Sequence, residues 1–151
     1  MLPAALVAAV VLAAAAGCGG DDDSSASGGG YGAPRGGDGT ELTVTLYPEG
    51  PQAGEPRTAE VACRAGTSDA EACDAIEALP DGAAEPVPAG VACTEIYGGP
   101  DLVRLEGTLD GEEVDAELIR ENGCEIDRFE RFTPLLRALF PGYEPGAALR
   151  P

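Results

Sequence analysis

The clearest period along the chain is two. Leu42, Val44 and Leu46 are apolar, and Thr43, Thr45 and Tyr47 stand between them, which predicts a strand with one buried face. Pro48 ends that run. After a Pro/Gly loop, Arg57 to Cys63 alternates less cleanly and reads as a second extended segment able to pair with the first as a hairpin. A helix is expected next, because Ser68 and Glu71 match a capping box and Ala72, Ile76 and Leu79 share one helical face with Cys73 beside it. Pro80-Asp81-Gly82 stops it near Leu79. Residues 91–100 are too short and, at their end, too Gly-rich for a helix. Leu102 to Leu109 predicts a strand, Asp110-Gly111 a tight two-residue turn, and Glu112 to Arg120 the partner strand, with Val114, Ala116 and Leu118 facing the core. Asn122-Gly123-Cys124 reads as a sharp corner, and both Asn122 and Gly123 tolerate the positive φ of a plain turn. Phe129, Phe132, Leu136 and Phe140 then keep helical spacing over residues 127–140, with Pro134 placed to kink or restart that helix. Residues 138–151 read as a loosely held tail.

The amino-terminal end follows a different logic. Residues 1–17 are uncharged and rich in Ala, Val and Leu, yet shorter than the ~20 apolar residues that span a bilayer. They read as a signal peptide. The run closes in Ala15-Ala16-Gly17-Cys18 and then turns polar at Gly19-Gly20-Asp21-Asp22-Asp23, which resembles the lipobox of bacterial lipoproteins, where the cysteine is diacylated and becomes the mature terminus. Ala15 stands where Leu is commonest, and no Arg or Lys precedes the apolar run. Ordinary cleavage after Ala14-Ala15-Ala16, leaving a free thiol at Cys18, is the competing reading. Residues 18–40 are Gly, Ser and Asp with scattered Pro, too polar to offset the entropy of ordering, and read as a disordered tether with a reach of ~25 Å. Asp21-Asp22-Asp23 lacks the spaced ligands and turn glycine of a calcium loop and is read as solvated charge. One ordered domain over residues 41–137 is expected.

Composition limits what that domain can be. With three Phe, four Tyr and no Trp in 151 residues, the core is built largely from small aliphatic side chains and calls for covalent help. Five cysteines are present. If Cys18 carries lipid, Cys63, Cys73, Cys93 and Cys124 remain, an even set with three possible pairings that would be oxidised outside the cytoplasm. The absence of His and of any Cys-x-x-Cys spacing argues against a zinc site, and no cofactor is called for. The net charge of −18 repels phosphate backbones and argues against nucleic acid as a partner. Without His, and with Glu112-Glu113 and Glu125 with Asp127 better read as solvated faces, no catalytic constellation stands out and an enzyme is not expected.

Cys63, Cys73, the run Cys93-Thr94-Glu95-Ile96-Tyr97-Gly98-Gly99-Pro100, the stretch from Gly107 to Gly111, and Asn122-Gly123-Cys124-Glu125, in that order, resemble the subtilisin inhibitor-like family. These are secreted serine protease inhibitors of actinomycete bacteria. The likeness spans roughly Leu42 to Leu135. It implies an α+β fold with an antiparallel five-stranded sheet and two helices, pairing of Cys63 with Cys73 and of Cys93 with Cys124, and often a homodimer. It also implies a mechanism in which an extended loop is offered to a protease as if it were substrate, so rigidly held that cleavage is slow and reversible. Affinity then comes from preorganisation. On this resemblance Glu95-Ile96 is the reactive bond, Thr94 and Tyr97 flank it, and Asn122 matches the asparagine that braces the loop.

Glu95 departs from the family. Members that inhibit subtilisin usually present Met, Leu or Lys at that position, and burying an unpaired carboxylate in an apolar pocket costs several kcal/mol. The expected partner is therefore an extracellular serine protease, either subtilisin-like or a Glu-preferring (glutamyl) endopeptidase, met at the outer face of the cytoplasmic membrane through the Cys18 anchor or in secreted form. The alternative expectation is a non-inhibitory envelope lipoprotein that uses the same scaffold to bind another protein.

Overall fold

The structure is a computed structural model that describes residues 39–64 and 69–150. The leader, Cys18, all of the tether before Gly39, and Ser68 of the expected capping box lie outside the described residues. The fold is α+β, with four antiparallel strands and three α-helices. In chain order these are β1 (Thr40–Tyr47), β2 (Arg57–Cys63), α1 (Ala70–Glu77), β3 (Leu102–Leu109), β4 (Glu112–Leu118), α2 (Gly123–Arg131) and α3 (Thr133–Leu139), and the sheet order is β2-β1-β3-β4. The first hairpin forms as its alternation implied, with Val44 opposite Ala59 on one side and Leu105 on the other.

Both counts differ from the five strands and two helices that the resemblance implies. Between α1 and β3 the chain carries Pro80, Pro86, Pro88 and Pro100. Each lacks a backbone donor, and this stretch forms turns and open loop in place of a fifth strand. The last helical run divides in two at Phe132, and Pro134 sits in the first turn of α3, where a missing N–H costs nothing. The β3–β4 turn needs left-handed backbone at both central residues, and Asp110 (φ 52°) and Gly111 (φ 84°) supply it. Asp110 N–H donates to the buried Thr40 Oγ1 at 3.0 Å, which ties that turn to the start of β1.

Side-chain alternation sets the layers. Leu42, Val44 and Leu46 of β1, Val61 of β2, Val103 and Leu105 of β3 and Leu118 of β4 are buried on one face of the sheet. Ile76 of α1, Phe129 of α2, Leu135 and Leu136 of α3, and Phe132 and Phe140 beside them, complete the same core. Val114 and Ala116 pack at its edge. The opposite face of the sheet carries Thr, Glu and Arg side chains, among them the Thr45–Thr58 hydroxyl pair at 3.3 Å and the Arg104–Glu117 ion pair at 3.3 Å.

Two disulfides staple this architecture, Cys63–Cys73 (Cα–Cα 5.6 Å) and Cys93–Cys124 (Cα–Cα 5.4 Å). The first joins the end of β2 to α1, and both of its cysteines are buried. The second joins the loop before β3 to the first turn of α2. That helix begins earlier than its apolar spacing suggests, because Asn122 caps it: its Oδ1 accepts from the backbone N–H of Cys124 and of Glu125, each at 3.0 Å. Asn122 is extended (φ −152°), and neither it nor Gly123 has positive φ, so the plain-turn reading of Asn122-Gly123 gives way to a helix cap. Arg128, buried in the same helix, donates to the carbonyls of Glu117 (2.9 Å) and Ala84 (2.7 Å) and to Glu125 Oε2 (3.1 Å), fastening α2 to β4 and to the loop after α1.

The segment expected to be a loose tail packs against the rest of the domain. Ala138 and Leu139 finish α3, Phe140 and Tyr143 are buried, and a short 3₁₀ turn forms at Ala147–Leu149. Two aromatic rings in a chain with so few are enough to hold a Pro/Gly-rich segment down.

Candidate functional site

Gly90 (φ 85°) and Gly99 (φ 130°) bound a segment with no regular secondary structure, and no residue between them has positive φ. Thr94, Glu95, Ile96 and Tyr97 are all exposed. Ile96 and Tyr97 show 58% and 56% of their surface, and with Val91 they make three of the four large exposed apolar side chains among the described residues.

Exposure alone would leave this loop mobile, but it is held on both sides. On the amino-terminal side Cys93 is bonded to Cys124, and Gly123 N–H donates to Thr94 O at 2.9 Å. On the carboxy-terminal side Gly98 N–H donates to Arg120 O at 2.8 Å, and Arg120 Nε–H donates back to Gly98 O at 3.0 Å. Glu95, Ile96 and Tyr97 bridge the two fixed points. The approaches are close at two glycines: a Cβ on Gly123 would lie 2.1 Å from Thr94 Oγ1, and one on Gly98 would lie 2.9 Å from the Ile126 side chain, so either would force the facing side chain to turn. A shallow groove of about 460 Å³, lined in part by Val91, Ala92, Thr94, Asp127 and Arg131, lies on the amino-terminal flank.

Behind the carboxy-terminal side sits a buried polar cluster. Arg120 is only 8% exposed and stacks its guanidinium 5.1 Å from the centre of the Phe129 ring. Asp101, 2% exposed, places Oδ2 3.9 Å from Arg120 Nε. The Asp101 carboxylate also accepts from Tyr143 Oη at 2.7 Å and from Gly146 N–H at 3.1 Å and 3.2 Å. Burial, reinforced by the hydrogen bond and the charge of Asp101, raises the Tyr143 hydroxyl well above the ordinary tyrosine range. The folded state thus keeps a proton that the unfolded chain releases near pH ~10, so stability is full below that pH and falls as pH climbs above it. Alkaline denaturation is expected to show this fall, and Tyr143→Phe is expected to flatten it; equal slopes for the two proteins would contradict the assignment.

The expected site residues divide. Thr94, Glu95, Ile96 and Tyr97 lie together in the exposed loop, and both disulfides form with the pairing the resemblance implied. Asn122 stands next to the loop, with its Oδ1 occupied at the α2 amino terminus. Gly98 and Gly123 stand in the sequence only as members of the quoted runs, and nothing there marks them, Arg120 or the Asp101–Tyr143 pair as supports of the loop. Arg120 reads as the end of a strand, whereas β4 stops at Leu118 and Arg120 turns beneath the loop. The signals were small: an Asp directly after the Gly-Gly-Pro run and a lone Tyr in an otherwise Pro/Gly-rich tail. Among the described residues no group of three or more His, Cys, Asp or Glu side chains is placed to hold a metal, and no helix is long and apolar enough to cross a membrane. No family model, no curated protein and no solved structure matches this chain.

Proposed function

We propose that this chain is a serine protease inhibitor of the substrate-like kind, presenting Glu95-Ile96 as its reactive bond. The observation that carries this reading is an exposed four-residue segment, Thr94 to Tyr97, fixed at one end by a disulfide and a backbone hydrogen bond and at the other by a reciprocal pair of hydrogen bonds to Arg120. A protease cleft takes its substrate extended. A loop already ordered loses little entropy on docking and, when cut, keeps its ends near one another. Glu95 directs the proposal to a Glu-preferring endopeptidase, while the exposed Ile96 and Tyr97 would fill apolar subsites on the leaving side.

The test is titration of the soluble domain against a glutamyl endopeptidase and against subtilisin. Slow, stoichiometric loss of the glutamyl endopeptidase's activity is expected; no inhibition of either enzyme would contradict the proposal and favour a binding module on the same scaffold. Gly123→Ala separates loop geometry from stability. At the first helical position Ala favours α2, by up to ~1 kcal/mol over Gly, yet its Cβ collides with Thr94. The expected outcome is a melting temperature unchanged or raised together with inhibition weakened about tenfold, a loss of ~1.4 kcal/mol of binding. Unaltered inhibition would mean that Thr94 is free to move.

We further propose that Cys18 carries a lipid that holds the domain at the outer face of the membrane, close to the cell's own secreted proteases. Palmitate labelling of the full chain should vanish in Cys18→Ala; retained labelling would refute the anchor.

A further inference from the structure

Asp101 and Tyr143 join two parts of the chain whose functions would otherwise be unrelated. Asp101 ends the carboxy-terminal flank of the loop, and Tyr143 belongs to the segment after α3. Their 2.7 Å hydrogen bond is buried, and Gly146 N–H adds two contacts to the same carboxylate. The backbones also meet closely. A Cβ on Gly146 would lie 3.0 Å from Gly98 O, and one on Gly99 would lie 3.2 Å from Gly146 Cα. The carbonyl that Gly146 approaches is the one that accepts from Arg120 Nε. Asp101 in turn stands 3.9 Å from that same nitrogen. The Gly98 carbonyl and the Arg120 side chain that holds it therefore both stand against the segment that carries Tyr143.

We propose that Asp101 and Tyr143 are positioning residues, a clasp that keeps the leaving side of the loop in register when the Glu95–Ile96 bond is opened. The inference rests on the inhibitor reading above. In the opening step the protease serine bonds to the Glu95 carbonyl carbon, the C–N bond to Ile96 breaks, and the serine proton passes to the Ile96 amine through the protease's base. The acyl side stays fixed by Cys93–Cys124 and by Gly123 N–H on Thr94 O. The amine side has no disulfide. It hangs by Ile96 and Tyr97 from Gly98, which is hydrogen-bonded to Arg120, with Asp101 and Tyr143 behind that arginine. With that flank clasped, the amine remains near the ester, attacks it, re-forms the peptide and returns the proton to the serine. With the flank loose, water takes the ester first and the cut form accumulates.

The experiment equilibrates the soluble domain with a catalytic amount of glutamyl endopeptidase, starting once from the intact chain and once from the purified cut form. Intact and cut forms are then separated by mass. Wild type is expected to reach the same mixture from both directions. Tyr143→Phe, which removes one oxygen and keeps the ring, is expected to shift that mixture toward the cut form and to slow resealing at least about tenfold, by lowering the effective concentration of the amine. Asp101→Asn, which keeps an acceptor for Tyr143 but loses the charge facing Arg120, is expected to move in the same direction and serves if Tyr143→Phe folds poorly. Ile76→Val, a destabilising change on the buried face of α1 and outside the hydrogen-bonded cluster behind the loop, should leave the mixture unchanged, which separates positioning from general stability. Resealing by wild type and by both clasp variants at one rate would overturn the clasp alone. Failure of wild type to reseal, or scission at several bonds, would overturn the inhibitor reading and the clasp with it.

Discussion

Glu95→Met is expected to raise affinity for subtilisin at least about a hundredfold and to lower affinity for a glutamyl endopeptidase by a comparable factor. The physical reason is desolvation at one side chain. A carboxylate transferred from water to an apolar specificity pocket loses its hydration without gaining a partner, and even a partial penalty of ~3 kcal/mol exceeds two orders of magnitude in binding. Met removes that penalty and fills the pocket with a flexible apolar chain. Because Glu95 is exposed and lies between the two fixed points, the exchange leaves the domain's own contacts intact. Its thermal stability should change by no more than ~0.5 kcal/mol. Titration of both proteases by wild type and variant reads the result. A variant that still fails to inhibit subtilisin, in a domain of unchanged stability, would show that the loop is not shaped for a protease cleft.

Removing the Cys93–Cys124 bridge, as Cys93→Ala with Cys124→Ala, is expected to abolish inhibition and turn the loop into an ordinary substrate. Two effects combine. The bridge closes a sequence separation of 31 residues, which in the chain-entropy model corresponds to ~3–4 kcal/mol of stability. It also fixes the residue two positions before Glu95, so its loss frees the acyl side of the loop. The Cys63–Cys73 bridge provides the comparison. Its separation of 10 corresponds to ~2.5–3 kcal/mol, and it ties β2 to α1 with no part in the loop. Replacing that pair should lower the melting temperature and leave inhibition in place wherever the domain is still folded. Equal loss of inhibition from both double variants, measured well below their melting temperatures, would mean that global stability governs the loop and that the second bridge has no special role.

How far the sequence led can be judged from where it stopped. β1 and the β3–β4 hairpin were legible because alternation and an Asp-Gly turn are local signals, sufficient to place strands within a residue or two. The break at Pro134 was legible for the same reason. The start of α2 was not: Asn122-Gly123 suits both a turn and a helix cap, and the folded chain uses Asn122 as the cap. Thr94 to Tyr97 stand out in the sequence by no period or cap, only by their place after Cys93. Their supports were invisible, because Arg120, Asp101 and Tyr143 meet only after the chain has folded, and a buried ion pair between distant residues leaves no period or spacing in a sequence. The packing of the tail is hidden in the sequence because composition averages over a segment, whereas the contacts that hold it come from a few residues, Phe140, Tyr143 and Gly146.

Apart from the buried Asp101, the acidic side chains lie mainly on the open face of the sheet and on loops, while Arg120 and Arg128 are drawn inside as structural donors. Long-range repulsion from a net charge of −18 disfavours acidic partners and is screened by salt. Association with a protease of low isoelectric point should therefore quicken as ionic strength rises.

Thr94 to Tyr97, on the proposal above, is a substrate-like loop held rigidly enough to be cut slowly and at one bond. Prolonged incubation of the soluble domain with a glutamyl endopeptidase, followed by mass analysis of every peptide bond opened, tests it most directly. A single scission at Glu95–Ile96 is expected, with the disulfide-linked halves still together and intact chain still present. Rapid cutting after several of the exposed glutamates, with Glu95–Ile96 cut no more selectively than the others, would contradict it.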